Sequence, residues 1–368
     1  MMIKFLARII LKFFPKKLNE IIREKYHQSI RDKKTPRWNR ENNYSTSRNI
    51  KIGFIGAGNY AKHHLLSLQN IKVVSLDYIL TKTGKNSEKI KEDYGFKESF
   101  TDIKKFMTRD VDAYFVVSSS NTLFDMSKEL FNNGKPMLIE KPPGFTSRQT
   151  KELSEIAKKN NTFGMVALNR RYYSDIQHGL AMLADYGPIR GAILEVPEDI
   201  SNIRGENKLS EIEYKNYFYR NSIHAFDTLR HIMGEIVQLK SLGFSNEENN
   251  NRGLSAGAVV EHELNRYSLI STLWDTKPFY WRMKIIGERG CLEFSEKSGT
   301  KFLDEKMNVH NISADEVDSS FRKGNFMQTI SFIKSVDNNI KPEFPAADLD
   351  DACKTMEFME LYEKYKNK

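Results

Sequence analysis

From residue 50 onward, short apolar runs alternate with longer stretches in which apolar positions recur every three or four residues. Ile50 to Ile55 predicts a buried strand, the stretch to Leu68 a helix, and Val73 to Leu80 a second strand. SEKIKEDYGF then predicts a helix, Ala113 to Val117 a strand, Thr122 to Asn132 a helix and Met137 to Ile139 a further strand. After Tyr186 the texture changes. IRGAILEVPE, AGAVVEHEL, RYSLISTLWD and FYWRMKIIG have strand-like alternation, and the chain closes on a helical stretch from Leu349 to Tyr365. Ahead of residue 50 lies a different pattern. In MMIKFLARIILKFFPKK, Lys4, Arg8 and Lys12 fall on one helical stripe, the remaining surface is apolar, and Pro15 ends the helix.

The charge follows that division. The chain has 368 residues and a formal net charge of +9; residues 1–50 hold 13 Lys and Arg against 4 Asp and Glu, which leaves 44 of each sign in the rest. A neutral body with a basic arm points away from nucleic acid, which asks for basic charge on a folded face. The arm has the pattern of a helix lying in a membrane interface or on a partner protein; docking on this protein itself is the alternative. Charges interrupt its apolar run and no small-residue cleavage site follows, which disfavours a secretory signal. No uncharged apolar window reaches the length of a transmembrane helix. Residues 30–49, rich in Lys, Arg, Asn and Ser, read as a linker. The two cysteines, Cys291 and Cys353, cannot build a disulfide framework and have no zinc spacing, and His63, His64 and His231 show no metal-ligand spacing either. A reducing, cytoplasmic setting is expected, with the arm peripheral to the membrane, and no metal.

Between the first strand and the first helix stands GAGNYA. Gly56 permits a tight turn, Gly58 lets the backbone approach a pyrophosphate, and Ala61 allows close packing of helix on strand. Gly56, Ala57, Gly58, Asn59 and Tyr60 are therefore candidate dinucleotide contacts; a glycine turn without ligand is the alternative. The second strand offers two registers. Counting about 20 residues from the glycines points to Asp77 as a ribose acceptor and to NAD. Counting back from the next helix instead puts the turn at Thr81, Lys82 and Thr83, which suits a 2′-phosphate and NADP. The second register is preferred, with an ordinary exposed loop lysine as its rival. Ser118, Ser119, Ser120, Glu140 and Lys141 fall beyond carboxyl ends of later strands, where ligands of open parallel sheets sit.

GAGNYA, EKPP (140–143), MVALNRRYY (165–173), YGPI (186–189), HAFDTLRHIMGE (224–235), IIGERGCLEF (285–294) and DLDDACKTMEFMELYEKY occur in order over residues 50–368. This series resembles the Gfo/Idh/MocA oxidoreductases, the family of glucose-fructose oxidoreductase and inositol dehydrogenase, and within it the proteins of bacterial surface-polysaccharide synthesis. The resemblance implies an α/β fold: a Rossmann dinucleotide-binding domain at 50–170, then an α/β domain at 171–368 with a large open, mainly antiparallel sheet and homo-oligomer formation, behind the arm and linker at 1–49. It implies NAD(P)(H), which the preferred turn register leans to NADP, and hydride transfer to or from a carbon of a sugar or sugar nucleotide. By the same resemblance Lys141 would hydrogen-bond the reacting oxygen and His224 relay a proton, with Asp227 a structural carboxylate.

Two departures bear on the chemistry. Where the family commonly has an aspartate four residues before the histidine, this chain has Arg220, followed by Asn221; a cation there would depress the pKa of His224. Arg171, Arg220 and Asn221 are candidate contacts to the substrate, the arginines to its anionic groups. The usual T-P-N and histidine are replaced in SSSNTLF by Ser120 and Phe124. Two rival readings remain open: a non-catalytic nucleotide-binding partner recruited through the arm, and an NAD-dependent glycosidase of the same fold.

Overall fold

The computed structural model describes residues 46, 48–84, 87–199, 209–243, 255–274, 276–277 and 280–364. The helix expected in residues 1–17 and nearly all of the linker lie outside them. Among the described residues, no helix is long and apolar enough to cross a membrane.

Strand β1 (Ile50–Ile55) is the spine of the first sheet. It leads through α1 (Ala61–Gln69), β2 (Val74–Leu80), α2 (Ser87–Tyr94), β3 (Glu98–Phe100), α3 (Ile103–Met107), β4 (Ala113–Val116), α4 (Ser120–Phe131), β5 (Met137–Ile139) and α5 (Ser147–Lys159) to β6 (Gly164–Val166). Ile50, Ile52 and Phe54 have no solvent exposure, because helices cover both faces, and this is why the strand reads as a continuous apolar run. Gly53 interrupts the run where a Cβ would press within 2.8 Å of the Tyr114 ring. The strands β1 to β6 pair in parallel.

A short 3-10 turn, Asn169–Tyr172, leads into α6 (Ser174–Ala184) and β7 (Ile189–Glu198). The chain then forms α7 (Glu211–Lys215), a single π-helical turn at Phe218–Ser222, α8 (Ile223–Met233), β8 (Ile236–Gly243), β9 (Ala256–His262), β10 (Arg266–Trp274), β11 (Arg282–Gly287), β12 (Cys291–Ser295), β13 (Gly299–Leu303) and β14 (Val309–Ile312). These strands make an eight-stranded sheet in the order β14-β13-β12-β11-β7-β10-β9-β8, antiparallel throughout except between β7 and β10. Ala192, Leu194, Val196, Val260, Ile270 and Ile285 are buried, while Ile193, Tyr267, Leu269 and Leu273, at alternate positions, are exposed.

The last elements are α9 (Glu316–Ser320), α10 (Asn325–Asn338), β15 (Ala347–Asp348) and α11 (Leu349–Lys364). They amend the boundary expected at residue 170, since β15 pairs antiparallel with β6 and completes a seven-stranded first sheet ordered β15-β6-β5-β4-β1-β2-β3. Helix α10 reaches α1, where the Ser67 hydroxyl donates to Asn325 Oδ1 at 2.9 Å. Helix α11 touches both sheets' helices: Glu360 accepts from the backbone and hydroxyl of Ser147 at the start of α5, and Phe358 and Tyr362 pack on Phe226 of α8. The chain thus has the Rossmann domain and the α/β domain with an open, mainly antiparallel sheet that its sequence implies, joined by a C-terminal segment shared between them.

Candidate active site

The glycine turn follows β1 directly. Gly56 has φ +111°, and a Cβ there would lie 2.0 Å from the Val117 carbonyl oxygen, so a side chain is excluded on both counts. At Gly58 the position of a Cβ is open, with no atom within 4 Å, which leaves its backbone free to approach a ligand. Ala61 is fully buried, as close packing of α1 on the sheet demands. A cleft of about 770 Å³ opens above these residues. Gly56 to Tyr60, Thr81 to Thr83, Ser118 to Ser120, Glu140 and Lys141 all line it, as do Arg220 and Asn221. Ser118 Oγ is buried there with no hydrogen-bond partner among the described residues. An uncovered backbone at Gly58 and an unmatched hydroxyl at Ser118 fit a dinucleotide with its pyrophosphate on the glycine turn.

Asp77 lies inside β2, one residue out of step with β1, with 2% exposure, and Lys97 Nζ donates to its Oδ2 at 2.8 Å. It is not among the residues that line the cleft. The strand ends at Leu80, and the turn is Thr81 to Gly84, closed by a hydrogen bond from the Thr81 hydroxyl to the Thr83 carbonyl at 3.0 Å. Lys82 is exposed at its tip.

Lys141 follows β5 at the inner end of the cleft, and its Nζ donates to the backbone carbonyl of Arg220, in the π-helical turn, at 2.9 Å. Burial drives its pKa down and Arg170, Arg220 and Arg322 push the same way, against the attraction of Glu140, so the ammonium is held at about 8 instead of its ordinary 10.5. The neighbouring Glu140 is itself engaged by His64, whose Nε2 lies 2.7 Å from Oε1. Burial opposes the Glu140 carboxylate, yet His64 and Lys141 together keep its pKa below the usual value.

His224 stands in the first turn of α8 and lines a small cavity next to the main cleft, together with Lys141, Tyr60, Asn169, Arg322 and Gln328. Its pKa is far below the ordinary histidine value, first through burial and then through the positive charges of Lys141, Arg170 and Arg322. The depression foreseen from Arg220 is there, but those three cations, and burial before them, cause it. The imidazole is neutral across the physiological range, which makes it a weak proton carrier and leaves Lys141 as the group that titrates near neutrality.

Arg171 does not meet the substrate role expected of it. It is 4% exposed; Nε and Nη2 bind the Asp227 carboxylate, and Nη1 reaches Asp351 at 2.6 Å. Asp351 also binds Arg230, and Asp227 accepts from Thr355 of α11 at 2.9 Å, so the group is a buried ionic joint between α8 and α11. The neighbouring Arg170 acts on the site instead. Its guanidinium lies 3.8 Å over the Trp281 ring, Nη2 binds Glu296 at 2.6 Å, and its charge is felt at Lys141 and His224. The tight turn at Asn169–Tyr172 decides which arginine faces inward, and RRYY carries no periodicity that distinguishes them. Arg220 faces the cleft with one carboxylate, Glu213, 4.0 Å away, while Asn221 gives its amide hydrogens to Glu198 at 2.7 and 2.8 Å. Arg322 and Gln328 escaped the sequence reading because they arrive from the C-terminal segment without a motif.

Residues 50–168 match the model of the family described as oxidoreductase family, NAD-binding Rossmann fold. The Rossmann domain belongs to the Gfo/Idh/MocA oxidoreductases. The chain is 22% identical over 200 residues to 4-carboxy-2-hydroxymuconate-6-semialdehyde dehydrogenase of Sphingobium sp., covering 52% of this chain and 62% of that protein. It spans less than two thirds of the length of the curated relatives it matches. Among solved structures, an oxidoreductase from Agrobacterium radiobacter in complex with NAD+, L-tartaric acid and magnesium superposes with a TM-score of 0.74 at 16% identity, over 87% of this chain and 96% of that one. The WlbA dehydrogenase from Bordetella pertussis, in complex with NADH and UDP-GlcNAcA, gives 0.70 at 14% identity over 88% and 97%. The likeness of fold to these two structures extends past the matched domain into the second sheet.

Proposed function

We propose that this chain is an NAD(P)-dependent oxidoreductase that moves a hydride to or from an oxygen-bearing carbon of a sugar or sugar nucleotide, in surface-polysaccharide synthesis. The observation that carries the reading is the setting of Lys141, buried where the dinucleotide cleft meets the His224 cavity and held at about 8. A bound nicotinamide supplies or accepts the hydride. Lys141 hydrogen-bonds the reacting oxygen, taking its proton as the alcohol is oxidised and returning it as the carbonyl is reduced. The neutral His224 accepts a hydrogen bond from a hydroxyl beside the reacting carbon and so orients the sugar. Arg220, whose one ion-pair partner among the described residues is Glu213 at 4.0 Å, binds an anionic group of the substrate. WlbA, solved with UDP-GlcNAcA, is an instance of such chemistry on this fold.

NADP is the preferred cofactor in this reading, supported by the exposed Lys82 at the strand-end turn and by Asp77 being committed to Lys97. Lys82→Ala weakens NADPH by about tenfold and leaves NADH unchanged, as loss of one charge-assisted contact to a 2′-phosphate requires; fluorescence titration with both nucleotides checks it. The exposed apolar face of the second sheet supports a homodimer.

The deciding experiment follows nicotinamide absorbance over a panel of nucleotide sugars with the parent chain and Lys141→Met. The parent turns over at least one of them, and the variant binds NADPH normally but turns over at least 100-fold more slowly. Equal turnover would remove Lys141 from the chemistry, and binding without turnover across the panel would favour a non-catalytic nucleotide-binding role.

A further inference from the structure

Gln328, in α10, has no solvent exposure, and neither Nε2 nor Oε1 of its side chain has a hydrogen-bond partner among the described residues. His224 Nδ1 is in the same condition. Leaving a buried polar atom unmatched costs roughly 1–3 kcal/mol, and native interiors meet such atoms with protein groups or an ordered water. Both side chains line the same small cavity, together with Lys141, Asn169 and Asn325.

Each of these neighbours already makes a hydrogen bond elsewhere. Asn325 Oδ1 accepts from Ser67, Asn169 Nδ2 donates to the Lys323 carbonyl at 2.8 Å, and Lys141 Nζ donates to the Arg220 carbonyl. The cavity has about 10 Å³ of room for the centre of a water-sized sphere, which is room for one molecule. A water needs two to four polar partners, and an amide that both donates and accepts can take it in either orientation.

We propose that a single buried water bridges Gln328 and His224 Nδ1, which makes Gln328 the positioning residue that fixes the tautomer of the imidazole. The inference rests on the reading of Lys141 and His224 as the reacting pair. Nδ1–H donates to the water oxygen, and the water donates to Gln328 Oε1. Nε2 is left as a bare acceptor towards a substrate hydroxyl beside the reacting carbon. A neutral amide suits this place, because the charged and titratable groups around His224 are Lys141, Arg170, Arg322, Glu140 and Tyr60, and Glu140 is already taken by His64. Three cations keep the imidazole neutral without help, so its partner has to orient the ring and has no charge to balance.

Nitrogen NMR of the full-length chain labelled at histidine, with His224→Gln to assign the signal, reads the tautomer without any turnover. In the parent, His224 is neutral with the hydrogen on Nδ1. In Gln328→Leu the signal moves to the Nε2–H form or to a mixture, and in Gln328→Glu, which keeps an acceptor for the water, the Nδ1–H form persists. An Nε2–H tautomer in the parent, or a Leu variant identical to the parent, overturns the proposal. If the Leu variant fails to fold, loss of the Nδ1–H form in Gln328→Glu overturns it equally. With a substrate in hand, Gln328→Leu lowers kcat about tenfold with little change in KM, as loss of orientation without loss of binding requires. A parent chain with no turnover would sink the dehydrogenase reading while leaving the tautomer result to stand alone.

Discussion

Lys141 and His224 differ in what their surroundings leave them able to do. Burial and three arginines bring the lysine to about 8, whereas burial and the nearby cations take the histidine out of the titrating range. If Lys141 takes the alcohol proton, it must be the free amine for oxidation and the ammonium for reduction. Oxidation therefore rises with pH and levels off above about 8, reduction falls through the same region, and neither shows a limb near the ordinary histidine pKa; pH profiles of kcat/KM in both directions check this. The places of the glycines, the strand-end turn and Lys141 along the cleft could be read from the sequence because each position is fixed by local backbone or by a strand end. The orientation of Arg170 against Arg171 could not, because a turn of four residues, and the carboxylates Asp227 and Asp351 from distant helices, decide it.

Helix α8 carries both kinds of residue. Its first turn offers His224 to the cavity, and one turn later Asp227 anchors it to Arg171 and, through Thr355, to α11. Asp227→Ala leaves the Arg171 guanidinium buried beside Asp351 alone, and removing one member of a buried pair costs about 3–5 kcal/mol. Chemical denaturation reports that loss, whereas Lys91→Ala in α2, a partly buried residue whose partner Glu88 is largely solvated, changes stability by less than about 1 kcal/mol. The long apolar-patterned elements β1, β2, α4 and α11 were legible from periodicity. Strands of three residues such as β3 and β6 are too short to show a period, and the two-residue β15 is defined only by the neighbour it pairs with.

At the scale of the molecule, the second sheet buries one face and leaves Tyr267, Leu269 and Leu273 about half exposed on the other. Contiguous apolar surface on a folded body marks a contact. On the homodimer reading proposed above, Leu269→Asp combined with Tyr267→Asp yields a monomer in sedimentation velocity and leaves NADPH affinity intact, because the glycine turn at the floor of the cleft lies in the other domain. The return of β15 to the first sheet has a consequence for biogenesis. Strand β1 leaves the ribosome almost 300 residues before the segment that finishes its sheet, so the dinucleotide domain is begun first and closed last. Until α10 and α11 emerge, the sheet edge at β6 is unpaired and the apolar surfaces of α1 and α5 are uncovered. A nascent chain of this protein therefore spends about half of its synthesis with that edge open, the condition in which a chaperone binds and a premature stop leaves a sticky fragment in place of a smaller working domain.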